Sequence, residues 1–216
     1  MQTDLILQRP AAATDAELVL LFHGVGSSAE DLAPLGQMLG AQRPQAWVVS
    51  ARSPHPCDLG QGWQWFSVQG VTDANRPQRV AAAMPAFVAR VQAWQQETGV
   101  SPQRTTLLGF SQGAIMALES TQRPEGPALA HRVVAVAGRF AQAPRHAPPH
   151  TAVHLLHGEQ DGVMPIGHAE VAEHALRSLG VACTLDRFAG LGHGIDARVA
   201  QAIAQRLGTP VAQPRP

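Results

Sequence analysis

The chain has 216 residues, 45% of them apolar, with 16 basic side chains balancing 16 acidic ones. That is enough for a sizeable core, short for two domains, and too apolar for disorder. The net charge is zero and the scattered basic residues are all arginine, so there is no electrostatic footprint for nucleic acid, and no lysine for a Schiff base, a Walker-type phosphate site or a Ser–Lys dyad.

Along the chain, apolar runs alternate with helical patterns, which predicts a mostly parallel, doubly wound sheet flanked by helices. The first strands fall at Asp4–Gln8 and Leu18–Phe22. After the second comes His23-Gly24-Val25-Gly26-Ser27-Ser28, where two glycines allow a close backbone approach. Ser28 and Asp31 resemble a capping box for a helix through Leu39. A strand at Trp47–Ser50 precedes the longest expected loop, Pro54–Gly70, which carries Trp63, Trp65 and Phe66. Those aromatics suit either a plug on the sheet edge or the wall of an acyl pocket. Val80, Met84, Phe87, Val91 and Trp94 keep three- and four-residue spacing, so the helix Gln78–Glu97 buries that stripe, with a kink expected at Pro85. Further strands are expected at Thr105–Phe110, Val133–Ala137, Ala152–His157 and Thr184–Phe188, with helices at Gln112–Thr121, Gly167–Leu179 and Ile195–Leu207.

Leu107-Leu108-Gly109-Phe110-Ser111-Gln112-Gly113 is the segment richest in chemistry. G-x-S-x-G between a strand and a helix is a nucleophile elbow, a turn so tight that the serine is strained and its neighbours two residues away must be glycine. The following helix N-terminus offers amides to a developing oxyanion, so the Gln112 N–H can act there with the Val25 N–H of the early loop.

A nucleophilic serine needs a base, and the base an orienting acid. Of ten histidines, His193 is best placed, in a glycine-flanked loop after the last strand. His168 and His174 sit in a helical pattern that suggests solvated side chains, and His146 and His150 in a proline-rich loop. Either Glu159 or Asp161 can reach His193 from the turn after Ala152–His157, and Asp161 at the turn apex is favoured. Asp186 lies inside a strand pattern and Asp196 starts the last helix, where it serves the dipole. Ser111, Asp161 and His193 thus follow the chain order that this class requires.

A rival reading uses the same early loop. Gly24-x-Gly26-x-x-Ala29 matches a dinucleotide fingerprint, and Arg52 suits a 2′-phosphate, as in an NADP-binding oxidoreductase. The acid required about 20 residues further on is missing, and the reading leaves Ser111, Asp161 and His193 unexplained.

The segments Leu21-Phe22-His23-Gly24-Val25-Gly26, Gly109-Phe110-Ser111-Gln112-Gly113-Ala114, His157-Gly158-x-x-Asp161 and Gly190-x-Gly192-His193-x-Ile195 resemble the phospholipase/carboxylesterase family of α/β-hydrolases, which includes acyl-protein thioesterases and lysophospholipases. The resemblance runs from about Leu18 to about Leu207 and extends to bacterial esterases through Trp65-Phe66-Ser67-Val68-Gln69-Gly70. It implies an α/β-hydrolase fold, Ser111 as nucleophile, Asp161 as acid, His193 as base and an oxyanion hole from the Val25 and Gln112 amides. Family thioesterases commonly carry an acidic residue after the Trp-Phe pair, where this chain has Ser67. The expectation is therefore a carboxylesterase for short-to-medium acyl esters, with an acyl thioesterase or lysophospholipase as the alternative and a noncatalytic binding protein of the same fold as a remote one.

No insertion is large enough for a lid domain, and Gly138–His150 is the only flap candidate. Residues 1–208 are expected to form one domain and the proline-rich residues 209–216 a flexible tail. No signal peptide or membrane-spanning run is visible, and Cys57 and Cys183 suit free thiols in a reducing cytoplasm. No metal or cofactor is expected. The partner is a small ester or thioester, bound by a monomer or homodimer without stable membrane insertion.

Overall fold

The apolar runs assemble into one seven-stranded sheet in the computed structural model, which describes residues 4–12, 14–123 and 126–208. Its strands are β1 (Leu5–Gln8), β2 (Glu17–Phe22), β3 (Ala46–Ala51), β6 (Thr105–Phe110), β7 (Arg132–Val136), β8 (Ala152–Gly158) and β9 (Cys183–Phe188), in the order β1-β3-β2-β6-β7-β8-β9. Only β1 runs antiparallel to its neighbour. A two-stranded hairpin, β4 (His55–Pro56) with β5 (Trp63–Gln64), lies within the long loop. The helices are α1 (Ala33–Gln42), α2 (Arg76–Thr98), α3 (Gln112–Glu119), α4 (Gly167–Ser178) and α5 (Ala197–Gly208). Every expected strand and helix is present, and the expected tail at residues 209–216 lies outside the described residues.

The inner strands read as unbroken apolar runs because both their faces are covered. Leu18, Leu20 and Phe22 of β2 join the core beneath α2, α3 and α4. Val19 and Leu21 point the other way, to Leu35 and Leu39 of α1 and Val199, Ile203 and Leu207 of α5. From β2 the chain steps outward to β3, then returns past β2 to β6. The carboxyl ends of β2 and β6 therefore flank a topological switch point, where open α/β sheets place their ligands.

The helix α2 is continuous through Pro85, burying Val80, Phe87, Val91 and Trp94 as its spacing requires, with Met84 partly buried against the same core. Pro85 and Ala81 are both exposed, so water can reach the Ala81 carbonyl that lacks its helical donor. The capping box is only half formed. Asp31 Oδ2 accepts the Ser28 N–H at 2.9 Å and both the Ser27 and Ser28 hydroxyls, and the first turn, Glu30–Leu32, is 3₁₀ before α1 begins. No helix among the described residues is long and apolar enough to cross a membrane.

His154 of β8 gives the fold an acid-sensitive point. It is buried, with Nδ1 2.9 Å from the Thr184 hydroxyl. Burial first, then the nearby Arg132 and Arg206 charges, push its pKa down from 6.5 to about 4. Between those values the unfolded chain binds a proton that the folded chain refuses, so stability is full above pH 6.5 and falls as pH drops toward 4. The loss should approach about 3 kcal/mol. Urea unfolding at pH 7.5 and pH 5 should show a smaller acid shift in His154→Gln than in the unmodified protein. Equal shifts in the two would refute the assignment.

Candidate active site

The turn from β6 into α3 holds Ser111 at φ 52° and ψ −115°, a left-handed conformation that costs a non-glycine residue energy. The neighbours explain why the strain is accepted. A Cβ on Gly109 would stand 2.4 Å from the Ala114 nitrogen, and one on Gly113 would stand 2.1 Å from the Phe22 carbonyl oxygen. Strand, turn and helix can close this tightly only with glycine at both places. The Ser111 amide donates to Val136 O at 3.0 Å, tying the elbow to β7.

Two further loops deliver the other side chains. The Ser111 hydroxyl lies 2.9 Å from His193 Nε2, and His193 Nδ1 lies 2.8 Å from Asp161 Oδ2. With Nδ1 protonated, it donates to the carboxylate and leaves Nε2 to accept from the serine. The loops are joined through their backbones: the Glu159 amide donates to Phe188 O at 3.0 Å and the Gln160 amide to Leu191 O at 2.9 Å. A Cβ on Gly158 would stand 2.3 Å from Leu191 O, so this glycine lets the His193 loop lie close.

The structure separates the two acid candidates. Glu159 is exposed, whereas Asp161 is 5% exposed. Burial works to raise the Asp161 carboxyl, but the Met164 amide, His193 and the Val163 amide outweigh it and hold its pKa below the usual range. Those amides reach Oδ1 at 2.8 and 2.9 Å. Sequence reasoning missed His157, whose Nε2 is 2.6 Å from Met164 O and 3.4 Å from Asp161 Oδ2. Its sequence signals were its place at the end of a mostly apolar strand and in the His157-Gly158-x-x-Asp161 segment, neither of which gave it a role.

The early loop also lies against the serine. A Cβ on Gly24 would stand 3.2 Å from Ser111 Cβ. The Gly26 amide donates to Trp63 O and the Ser27 amide to Gly24 O, while Trp63 N returns a bond to Ser27 O at 2.9 Å. His23 anchors the start of the loop. Its Nδ1–H donates to Gly24 O at 2.7 Å and its Nε2 accepts the Ser53 amide at 3.1 Å, an arrangement that requires neutral imidazole. Burial lowers its pKa and favours that neutral form.

The aromatic segment turns out to brace this loop. Trp65 and Phe66 are 2% and 6% exposed, and the Trp65 ring packs edge-on against Phe22 and Phe87 in the core. Of the two roles open to Trp63, Trp65 and Phe66, apolar burial draws the latter two into the core, the plug rather than the acyl-pocket wall. Their polar atoms grip the site instead. The Gln112 side chain accepts Trp65 N and donates to Phe66 O, each at 2.7 Å, and Trp65 Nε1 donates to His23 O at 2.9 Å. Trp63 is partly exposed, its ring stacked under Arg52.

The remaining candidates fall elsewhere. His174 is exposed, but His168 is half-buried with Nε2 3.0 Å from Arg139, which corrects its reading as solvated. Asp186 pairs with Arg206, and Asp196 Oδ1 accepts the Val199 amide at the start of α5. Gly138–His150 is pinned, since Glu119 accepts the Ala141 amide and Gln122 those of Arg145 and His146. Asp31 occupies the donors that a dinucleotide phosphate would need after Gly24-x-Gly26.

A serine forced to positive φ where a parallel strand turns into a helix, served by an acid and then a base from later strand ends, defines an α/β-hydrolase. The chain belongs to the phospholipase/carboxylesterase family, whose model matches residues 7–209. It is 46% identical over 185 residues to Esterase YpfH of Escherichia coli K12, covering 86% of this chain and 79% of that protein. Acyl-protein thioesterase 1 of Gibberella zeae is 24% identical over 203 residues, 85% of this chain and 86% of its own. The crystal structure of esterase PE8 superposes with a TM-score of 0.83 at 30% identity, covering 95% of this chain and 97% of that one.

Proposed function

We propose that this chain is a carboxylesterase working through an acyl-enzyme, with residues 1–208 as its single catalytic domain and the cytoplasm as its compartment. Ser111 attacks the ester carbonyl as His193 Nε2 takes its proton. Asp161 holds the imidazole in the required tautomer and stabilises the imidazolium. The Val25 and Gln112 amides hold the oxyanion. His193 then returns the proton to the departing alcohol, and a water molecule repeats the sequence to free the acid. The continuous Asp161–His193–Ser111 hydrogen-bond chain carries this reading.

Short-to-medium acyl esters are the favoured substrates. Among the described residues no insertion forms a lid, Gly138–His150 is pinned to α3 and the turn after it, and Trp65 and Phe66 are committed to the core. Each methylene contributes about 0.8 kcal/mol only when it leaves water completely, so the gain stops where the protein wall ends. Esters are preferred over thioesters because Ser67 stands where the family's thioesterases carry an acid.

A panel of p-nitrophenyl esters and matching thioesters from acetyl to palmitoyl tests this. The expected kcat/KM rises through the short acyl chains and then levels, with each ester ahead of its thioester. A continued rise to palmitoyl, or a thioester advantage, would reverse the substrate assignment while leaving hydrolysis itself intact.

A further inference from the structure

Beyond the oxyanion loop, a second feature has no role in this chemistry. Arg52 follows β3 and is only 8% exposed, its guanidinium carbon 3.9 Å from the centre of the Trp63 ring. Among the described residues its side chain has neither a hydrogen bond nor a carboxylate within ion-pair distance. Ser53, 1% exposed, also has a hydroxyl without a partner. A buried charge without a counter-ion is costly, and the stacking on Trp63 offsets only part of that cost. Both residues line an open cavity of about 960 Å³ between the end of β3 and α2.

The other charged groups of the cavity are Asp4, Arg90 and Glu97. Asp4 is already committed: its oxygens accept Arg90 at 3.0 Å, Trp94 Nε1 at 2.6 Å and the Arg52 amide at 2.9 Å. Arg90 is neutralised by that pairing. Arg52 is thus the one cation of the cavity without a partner among the described residues, and the two carboxylates oppose a dianion. The walls include Ile6, Trp94 and the Ala86, Ala89 and Ala93 stripe of α2, which suit hydrocarbon.

We propose that this cavity binds a small monocarboxylate with an apolar tail, the carboxylate on Arg52 and Ser53 and the tail along the alanine stripe of α2. Arg52 Nε is sealed from solvent, so the anion meets the Nη end of the fork. Ser53 Oγ is sealed in the same way, so the hydroxyl reaches the anion by turning about its Cα–Cβ bond toward the cavity. This site is distinct from the catalytic centre. The His23 ring, held by the Ser53 amide, and the Gly24–Ser27 loop, held by Trp63, stand between the two.

Titration followed by ¹⁵N NMR tests the proposal without reference to turnover. Hexanoate is added to protein whose Ser111 has been blocked by a phosphonate, which keeps the acid from the serine. The Arg52 Nε–H and Trp63 indole N–H signals should shift saturably, hexanol should leave them unmoved, and inorganic phosphate should bind more weakly than hexanoate. Arg52→Met and Ser53→Ala should each weaken hexanoate binding by about tenfold or more, the loss expected for a charge-assisted contact. If Arg52→Met does not fold, Ser53→Ala with an unchanged melting temperature decides the matter. Absence of a saturable shift, equal affinity in the folded variants, or tighter binding of phosphate would overturn the site.

Discussion

Ser111→Ala is expected to lower kcat/KM for p-nitrophenyl butyrate by a factor on the order of 10⁴ or more while leaving the fold in place. The size follows from what is lost. Without Oγ there is no acyl-enzyme, and in the proposed mechanism only the amides of Val25 and Gln112 remain to stabilise attack by water. The fold should survive because alanine retains the Cβ that the elbow already accommodates at φ 52°, and Ser111 makes no side-chain cap to α3. What disappears is one partly buried hydrogen bond to His193, a stability change of about 1 kcal/mol. A fluorophosphonate probe should label Ser111 in the unmodified protein and nothing in the variant. Retention of more than a few per cent of the turnover by a pure, folded variant would remove Ser111 from the mechanism.

The sheet was legible because its central strands are buried on both faces and so read as uninterrupted apolar runs. The elbow was legible because Gly109 and Gly113 are required by contacts under 2.5 Å, which leave their mark directly in sequence. The pairing of Ser111, Asp161 and His193 rested on chain order, which the loop connections preserve. The fate of Trp65 and Phe66 was not legible. An aromatic pair in a long loop suits a pocket or a core equally, and the choice was made by Phe22 and Phe87, which are distant in sequence. The same holds for the Gln112 amide, since nothing local shows that it will clasp the Trp65 and Phe66 main chain. His157 escaped notice because its value lies in a contact with a loop that folds back over it.

Asp161→Asn is expected to reduce kcat by about 10³- to 10⁴-fold, for a reason visible in the hydrogen bonds of the carboxylate. In the unmodified site every bond is accepted: Oδ1 takes the Val163 and Met164 amides, and Oδ2 takes His193 Nδ1–H. Asparagine has a single oxygen. If that oxygen keeps the two amides, its NH₂ group points at His193, which must then bare Nδ1 and carry its proton on Nε2. That tautomer faces the Ser111 hydroxyl with a donor and cannot take its proton. The NH₂ group would also stand close to His157 Nε2, which lies 2.6 Å from Met164 O and 3.4 Å from Asp161 Oδ2. If the amide flips instead, the imidazole keeps its tautomer, but the NH₂ group then faces the Val163 and Met164 N–H groups, which lose their acceptor. Either arrangement leaves an imidazolium without its counter-charge at the moment the serine attacks. Glu159→Gln is the control, since that side chain is exposed and should change kcat by no more than about twofold. Parallel assays in which Glu159→Gln proves the more damaging substitution would transfer the role of acid to Glu159.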